Sequence, residues 1–92
     1  MTPASIPALP RGVRTHFDRV RGLPVLLGPE RVLMLDQIGR AVLAELDGVS
    51  NVRAISERLA NKYDAPVAEI EGDVLEYLQD LAEKRLVDAR DG

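Results

Sequence analysis

The chain has 92 residues, no cysteine, 46% hydrophobic and 29% charged residues and a net charge of −3, which bounds it to one compact domain and excludes disulfide staples, thiolate catalysis and cysteine-bearing zinc sites. No apolar run approaches the roughly 20 residues of a membrane span, and the N-terminus lacks the basic start and continuous apolar stretch of a signal peptide, so no membrane partner and a cytoplasmic address are expected. Charge is divided unevenly: residues 1–35 hold five arginines against two carboxylates, and residues 36–92 hold seven basic against thirteen acidic groups.

Residues 1–10 contain Pro3, Pro7 and Pro10 without periodicity and are read as a flexible tail that cannot offset its ordering entropy. From Gly12 the pattern changes. Val13, Thr15 and Phe17 alternate with Arg14, His16 and Asp18, the period-2 signature of a half-buried strand. Arg21-Gly22-Leu23-Pro24 reads as a turn, Val25-Leu26-Leu27 as a second strand, Gly28-Pro29 as another turn, and residues 31–35 as a third strand. Short connections make an antiparallel meander the economical topology.

Asp36 is a candidate N-cap for a first helix over residues 37–46, with Ile38, Val42 and Leu46 at helical spacing. Asp47-Gly48 ends it. Ser50 or Asn51 caps a second helix with Val52, Ile55, Leu59 and Tyr63 on one face. Pro66 opens a third, with the stripe Val67, Ile70, Val74, Leu78 and Leu81; Gly72 interrupts it with a kink or a close contact. Leu86-Val87 returns to the core. The expected fold class is α+β: a three-stranded antiparallel β-meander followed by three helices, winged-helix-like, as a single domain over 11–88 with a C-terminal tail at 89–92.

Catalysis by the usual routes needs a nucleophile with a base, paired carboxylates in a cleft, or clustered metal ligands. His16, the single histidine, falls on the polar phase of the first strand, and the serines have no histidine beside them. A non-catalytic binding module without cofactor or metal is therefore expected. A winged helix would lay its third helix in the DNA major groove, but Glu69, Glu71, Asp73, Glu76, Asp80 and Glu83 make that helix acidic, which repels phosphates. No nucleic-acid partner is expected.

The anomaly is the third strand. A sheet covered on one face normally alternates apolar with polar, yet Val32 and Met34 point one way and Leu33 and Leu35 the other. As the end of a meander it also presents an unpaired edge, which can accept another strand. If the third helix lies beside it, Arg31, Leu33 and Leu35 would face Tyr77, Asp80, Leu81 and Lys84 across a groove. The phase facing that groove stays open, because a one-residue shift exchanges the two faces. The candidate peptide-binding residues are thus Arg31, Val32, Leu33, Met34, Leu35, Tyr77, Asp80, Leu81 and Lys84. A homodimer joined through the same edge is the alternative use.

From about Pro10 to Val87 the sequence resembles the PqqD family of pyrroloquinoline quinone biosynthesis. Gly12-Val13-Arg14, Leu26-Leu27-Gly28-Pro29-Glu30, Leu35-Asp36, Asp47-Gly48, Ile55, Leu59, Tyr63, Asp73-Val74, Tyr77-Leu78, Leu81 and Leu86-Val87 carry the likeness. The resemblance implies a peptide chaperone of the RiPP recognition element type, binding the precursor peptide PqqA and presenting it to the radical SAM enzyme PqqE, with the peptide added as a strand to the third strand beside the third helix. Those elements map to residues 31–35 and 66–84. Two positions depart from the pattern: Arg85 stands where glycine often precedes the final Leu-Val, and Asp36 where asparagine is common in related modules.

Overall fold

The computed structural model describes residues 1–91. Five strands and three helices follow in the order β1 (Ser5–Ala8), β2 (Arg14–Asp18), β3 (Leu23–Leu27), β4 (Val32–Met34), α1 (Gln37–Ala44), α2 (Val52–Tyr63), α3 (Val67–Glu83) and β5 (Asp88–Asp91). The meander β2-β3-β4 and the three helices are present as expected, and β1 and β5 add a separate two-stranded antiparallel ribbon.

That ribbon corrects the reading of both termini. Residues 5–8 are a strand and not a mobile tail, and residues 89–91 belong to its partner; Gly92 of the expected C-terminal tail lies outside the described residues. Two features offset the ordering entropy. Ser5 and Pro7 turn inward and are buried, and the Arg53 N–H donates to the Pro3 carbonyl at 3.0 Å. A two-stranded ribbon leaves each strand one open side, where a proline's missing donor is tolerated.

The core is aliphatic. Leu26, Val42, Val52, Ile55, Leu59, Val74, Leu78, Leu81, Leu86 and Val87 form one buried cluster, with Leu33 and Tyr77 packed against it. In the middle strand both Val25 and Leu26 are buried, so its apolarity on both faces is explained by cover on both faces. β2 differs from its expected half-burial: Thr15 and Phe17 are exposed like their neighbours. The alternation is real, but α1 meets this outer strand only with Arg40 and Ala44 across an open cleft, and Val13, just before the strand, makes the inward contact.

Local chemistry sets the helix ends. The Asp36 carboxylate accepts from the Gly39 N–H at 2.7 Å, and the Asn51 side chain accepts from the Ala54 N–H at 2.8 Å, each satisfying an otherwise orphaned donor. Between them Asp47 accepts from the N–H groups of Ser50 and Val49 and from the Ser50 hydroxyl, and these bonds hold its carboxyl down to about 2. α1 is shorter than expected and buries Gly39, Val42 and Leu43. Ile38, expected inward, is 65% exposed. The inward place is taken by a glycine, which a reading based on hydrophobicity passes over.

α3 ends in a Schellman motif. The Leu86 N–H donates to the Leu81 carbonyl at 2.9 Å and the Arg85 N–H to the Ala82 carbonyl at 3.0 Å, with Leu81 and Leu86 both in the core beneath. The motif requires a left-handed residue, and Arg85 occupies it with φ +61°. A Cβ in this region costs about 1–2 kcal/mol. Arg85→Gly should therefore stabilise the fold by about 0.5–1 kcal/mol, net of glycine's greater freedom in the unfolded chain; an unchanged or lower urea midpoint would contradict this account of the cap.

Two further glycines have opposite surroundings. Gly72 in α3 is exposed with open space around it, so neither a close contact nor a break in the helix follows from it. Gly39 in α1 is buried, and a Cβ there would collide with the Tyr77 hydroxyl and stand 2.9 Å from Tyr77 Cζ. Gly72→Ala should raise unfolding stability by about 1 kcal/mol, whereas Gly39→Ala should lower it by about 1–3 kcal/mol through overpacking. Urea denaturation of the two variants measures the opposite signs directly.

Candidate peptide-binding edge

Which groups of β4 face outward follows from the ladder. The Gly28 N–H donates to the Arg31 carbonyl at 2.9 Å and the Leu35 N–H to the Pro24 carbonyl at 3.0 Å. Between these ends the register pairs Leu27 with Val32, Leu26 with Leu33 and Val25 with Met34. Hydrogen-bonded and non-bonded pairs alternate in an antiparallel ladder. Arg31, Leu33 and Leu35 therefore turn their backbone groups toward β3, and Val32 and Met34 turn both N–H and C=O away from it. Among the described residues no strand pairs with that side.

The same alternation sorts the side chains. Leu33 and Leu35 point inward with Leu26, and Val32 and Met34 lie on the outer face, 54% and 67% exposed. So the residues that offer backbone bonds also offer bare aliphatic side chains. The other edge of the sheet, β2, turns out the backbone of Thr15 and Phe17 by the same logic; its residues are mostly exposed, and α1 meets it only with Arg40 and Ala44 across an open cleft beside Thr15, His16 and Phe17.

Two close approaches, one ahead of β4 and one beyond its end, bring α3 and the residues after it toward this edge. Ahead of β4 a Cβ on Gly28 would stand 2.7 Å from Leu86 Cδ2, the far end of that side chain, so Leu86 packs close against this turn and would have to shift for a larger residue. Just beyond the other end, Tyr77 sits on Gly39 with the Asp36 carboxylate alongside. Leu86 thus marks the Arg31 end and Tyr77 the Asp36 end. The last part of α3 runs antiparallel to the strand, and from Tyr77 to Lys84 it extends about 10 Å.

The candidate residues divide accordingly. Arg31, Val32, Met34 and Asp80 are exposed, and Leu33, Tyr77 and Lys84 half-buried. Leu35 and Leu81 are buried in the core, which corrects their place as groove walls: they are on the inward phase of strand and helix, and they hold the edge in position from beneath. Lys84 Nζ lies 2.6 Å from Asp80 Oδ2, so this pair offers a nearly neutral dipole to anything passing along the helix. Asp36, Gly39, Gly28 and Leu86 also shape the site and were absent from the expected set. A glycine inside an amphipathic helix was the available signal for the Tyr77 socket.

Among the described residues no group of three or more His, Asp or Glu is placed to hold a metal ion, and no helix is long and apolar enough to cross a membrane. The exposed surface of α3 carries Glu69, Asp73, Glu76, Asp80 and Glu83. It is a negative face beside an open strand.

Residues 25–87 match the family model of coenzyme PQQ synthesis protein D (PqqD). The PqqA binding protein of Rhizobium meliloti (strain 1021) is 45% identical over 85 residues, which cover 92% of this chain and 87% of that protein. The chain belongs to the PqqD family. The family match begins inside β3 and includes β4 and all three helices, hence every element of the edge.

Solved PqqD structures share the fold. The solution structure of the PqqD truncation of Methylobacterium extorquens PqqCD, described as a functional and stand-alone RiPP recognition element, has a TM-score of 0.77 at 49% identity, covering 89% of this chain and 87% of that one. The crystal structure of PqqD from Xanthomonas campestris has a TM-score of 0.60 at 44% identity, covering 94% and 96%.

The wall of the edge has a spectroscopic handle in Tyr77. Burial, and then the carboxylates of Asp36 and Asp80, push its phenol above the ordinary value of 10.0. With Tyr63→Phe leaving Tyr77 as the sole tyrosine, the phenolate absorbance should titrate with its midpoint above 10.0. Adding Asp36→Asn, which keeps a good N-cap, should move that rise part of the way back. A transition at or below pH 10 in the first variant would contradict this placement of the ring.

Proposed function

We propose that this chain is a non-catalytic peptide chaperone of PQQ biosynthesis, binding PqqA as a strand added to β4 and presenting it to the radical SAM enzyme PqqE. The carrying observation is the outward ladder of Val32 and Met34 beside α3. The names of its relatives and the recognition-element fold supply the identity of the peptide; the ladder supplies a way to hold it.

Two outward residues offer two donors and two acceptors to an extended peptide, the bonding mode of strand addition. The bonds depend on backbone alone and so tolerate many sequences. Selectivity falls to the side chains that flank the ladder: Val32 and Met34 on the outer face, and Tyr77, Asp80 and Lys84 along α3. Holding the peptide in one extended conformation beside an enzyme raises its effective concentration there. That requires no reactive group on the chaperone, consistent with a site made of backbone, aliphatic and paired ionic groups.

The same free edge favours a second reading, a homodimer in which two β4 strands pair about a two-fold axis. Mass measured against concentration distinguishes them: self-pairing shows concentration dependence without peptide, and peptide binding competes with it.

A proline scan of β4 tests the assignment because successive residues face opposite ways. Met34→Pro removes an outward donor and spares the β3 ladder, so the domain should remain folded while affinity for synthetic PqqA falls by about tenfold or more. Leu33→Pro removes a donor directed at β3 and should disrupt the sheet itself. Wild-type affinity in folded Met34→Pro would overturn strand addition on β4.

A further inference from the structure

Four backbone hydrogen bonds, each of small net worth in water, do not offset the freedom lost on association once peptide ordering is added. A complex built on the β4 ladder therefore needs apolar burial elsewhere on the peptide's path. Val32 and Met34 supply an open face. The structure contains a better one.

An apolar cleft of about 300 Å3 opens between α1, the end of α2 and the first half of α3, lined by Ile38, Ala41, Tyr63, Ile70, Asp73 and Val74. Ile38 and Tyr63 stand at its rim, 65% and 48% exposed. Its position is the decisive feature. Asp73 lies one helical turn before Tyr77 on α3, and Ile70 about another turn further. On α1, Ile38 adjoins the Gly39 socket in which Tyr77 sits. The cleft thus lies beyond Tyr77 on the side of α3 away from Lys84, and from Tyr77 to Ile70 the helix extends about 10 Å, which three extended residues span.

Charge narrows the occupant. Asp36 and Asp80 flank Tyr77 and Asp73 lines the cleft; neither Asp36 nor Asp73 has an ion-pair partner among the described residues. A second copy of the chain laid on this face about a two-fold axis would bring like charges together. An extended peptide with an apolar side chain and a cationic neighbour meets the opposite sign.

We propose that this cleft is a second pocket for the same bound peptide, receiving a bulky aliphatic or aromatic side chain about three residues beyond the peptide residue that passes Tyr77, with an adjacent lysine or arginine against Asp36 and Asp73. The proposal rests on strand addition at β4 and names where its selectivity resides. The ladder sets the conformation; the cleft reads a side chain.

The test is a titration of the full chain, labelled at backbone amides and isoleucine methyls, with synthetic PqqA. The Ile38 and Ile70 methyl signals should shift over the same peptide concentrations as the Val32 and Met34 amides. Ile38→Asn, at an exposed position, should weaken binding by about fivefold to tenfold, the scale of partial aliphatic burial, while the β4 amides still shift at saturation. Ala41→Leu, filling the cleft, should weaken it likewise. Affinity should also fall as salt is raised.

If the β4 amides shift while the methyls stay still and both variants bind normally, the cleft assignment is overturned and strand addition stands. Salt-independent affinity overturns the cationic neighbour. If the β4 amides themselves fail to respond, the proposed function falls and the cleft assignment with it.

Discussion

Burial of Leu33 and Leu35 is the constraint from which the rest of the site follows. A strand has a side-chain period of two and an antiparallel ladder has a bonding period of two, and the pair contacts Gly28–Arg31 and Pro24–Leu35 lock both periods together. Once the leucines enter the core, Val32 and Met34 must turn their side chains to the opposite face and their peptide groups to the open edge. Aliphatic exposure and an unpaired ladder at the same residues are thus one consequence and not two coincidences. A slip of one residue would exchange the roles and bury the wrong pair.

Such an edge is a hazard when left unframed, and here the framing comes from α3. Its position is marked by close approaches at two glycines: Leu86 against Gly28, and Tyr77 against Gly39. The first depends on the end of the helix being abrupt. The Schellman turn at Arg85 reverses the chain within one residue and drops Leu86 into the core beside Leu81. The left-handed arginine therefore belongs to the construction of the site, although its side chain points at none of it. Strain tolerated there is compensated by the two leucines that the turn buries.

Much of this was legible because it is local. The caps at Asp36 and Asn51, the meander and the helix order each rest on a few neighbouring residues whose chemistry has one economical outcome. The doubly apolar third strand was legible as an anomaly, but its phase was not, since that depends on which leucines the helices cover. The β1–β5 ribbon was invisible for the same reason at longer range: Ser5 pairs with Asp91, and neither segment is strand-like by itself. Ile38 misled because glycine carries no hydrophobic signal, and only the Tyr77 ring, 38 positions on from Gly39, makes that glycine the inward residue of its turn. Leu81 lies on the inward side of α3, which the helical period alone did not settle.

A chaperone of this size must hold a peptide without trapping it, and the division between ladder and side chains bears on that. Backbone bonds are nearly equal for all sequences, so strengthening the ladder would raise affinity for every extended chain alike and give no selectivity. Side-chain burial discriminates, at about 0.8 kcal/mol per methylene, but each added pocket slows release, since affinity differences among related complexes reside mainly in dissociation. β4 is three residues long and offers only two outward positions. Under the strand addition proposed above, a short ladder would keep the sequence-blind share of binding small, leave selectivity to a few side chains and keep dissociation compatible with handing the peptide on.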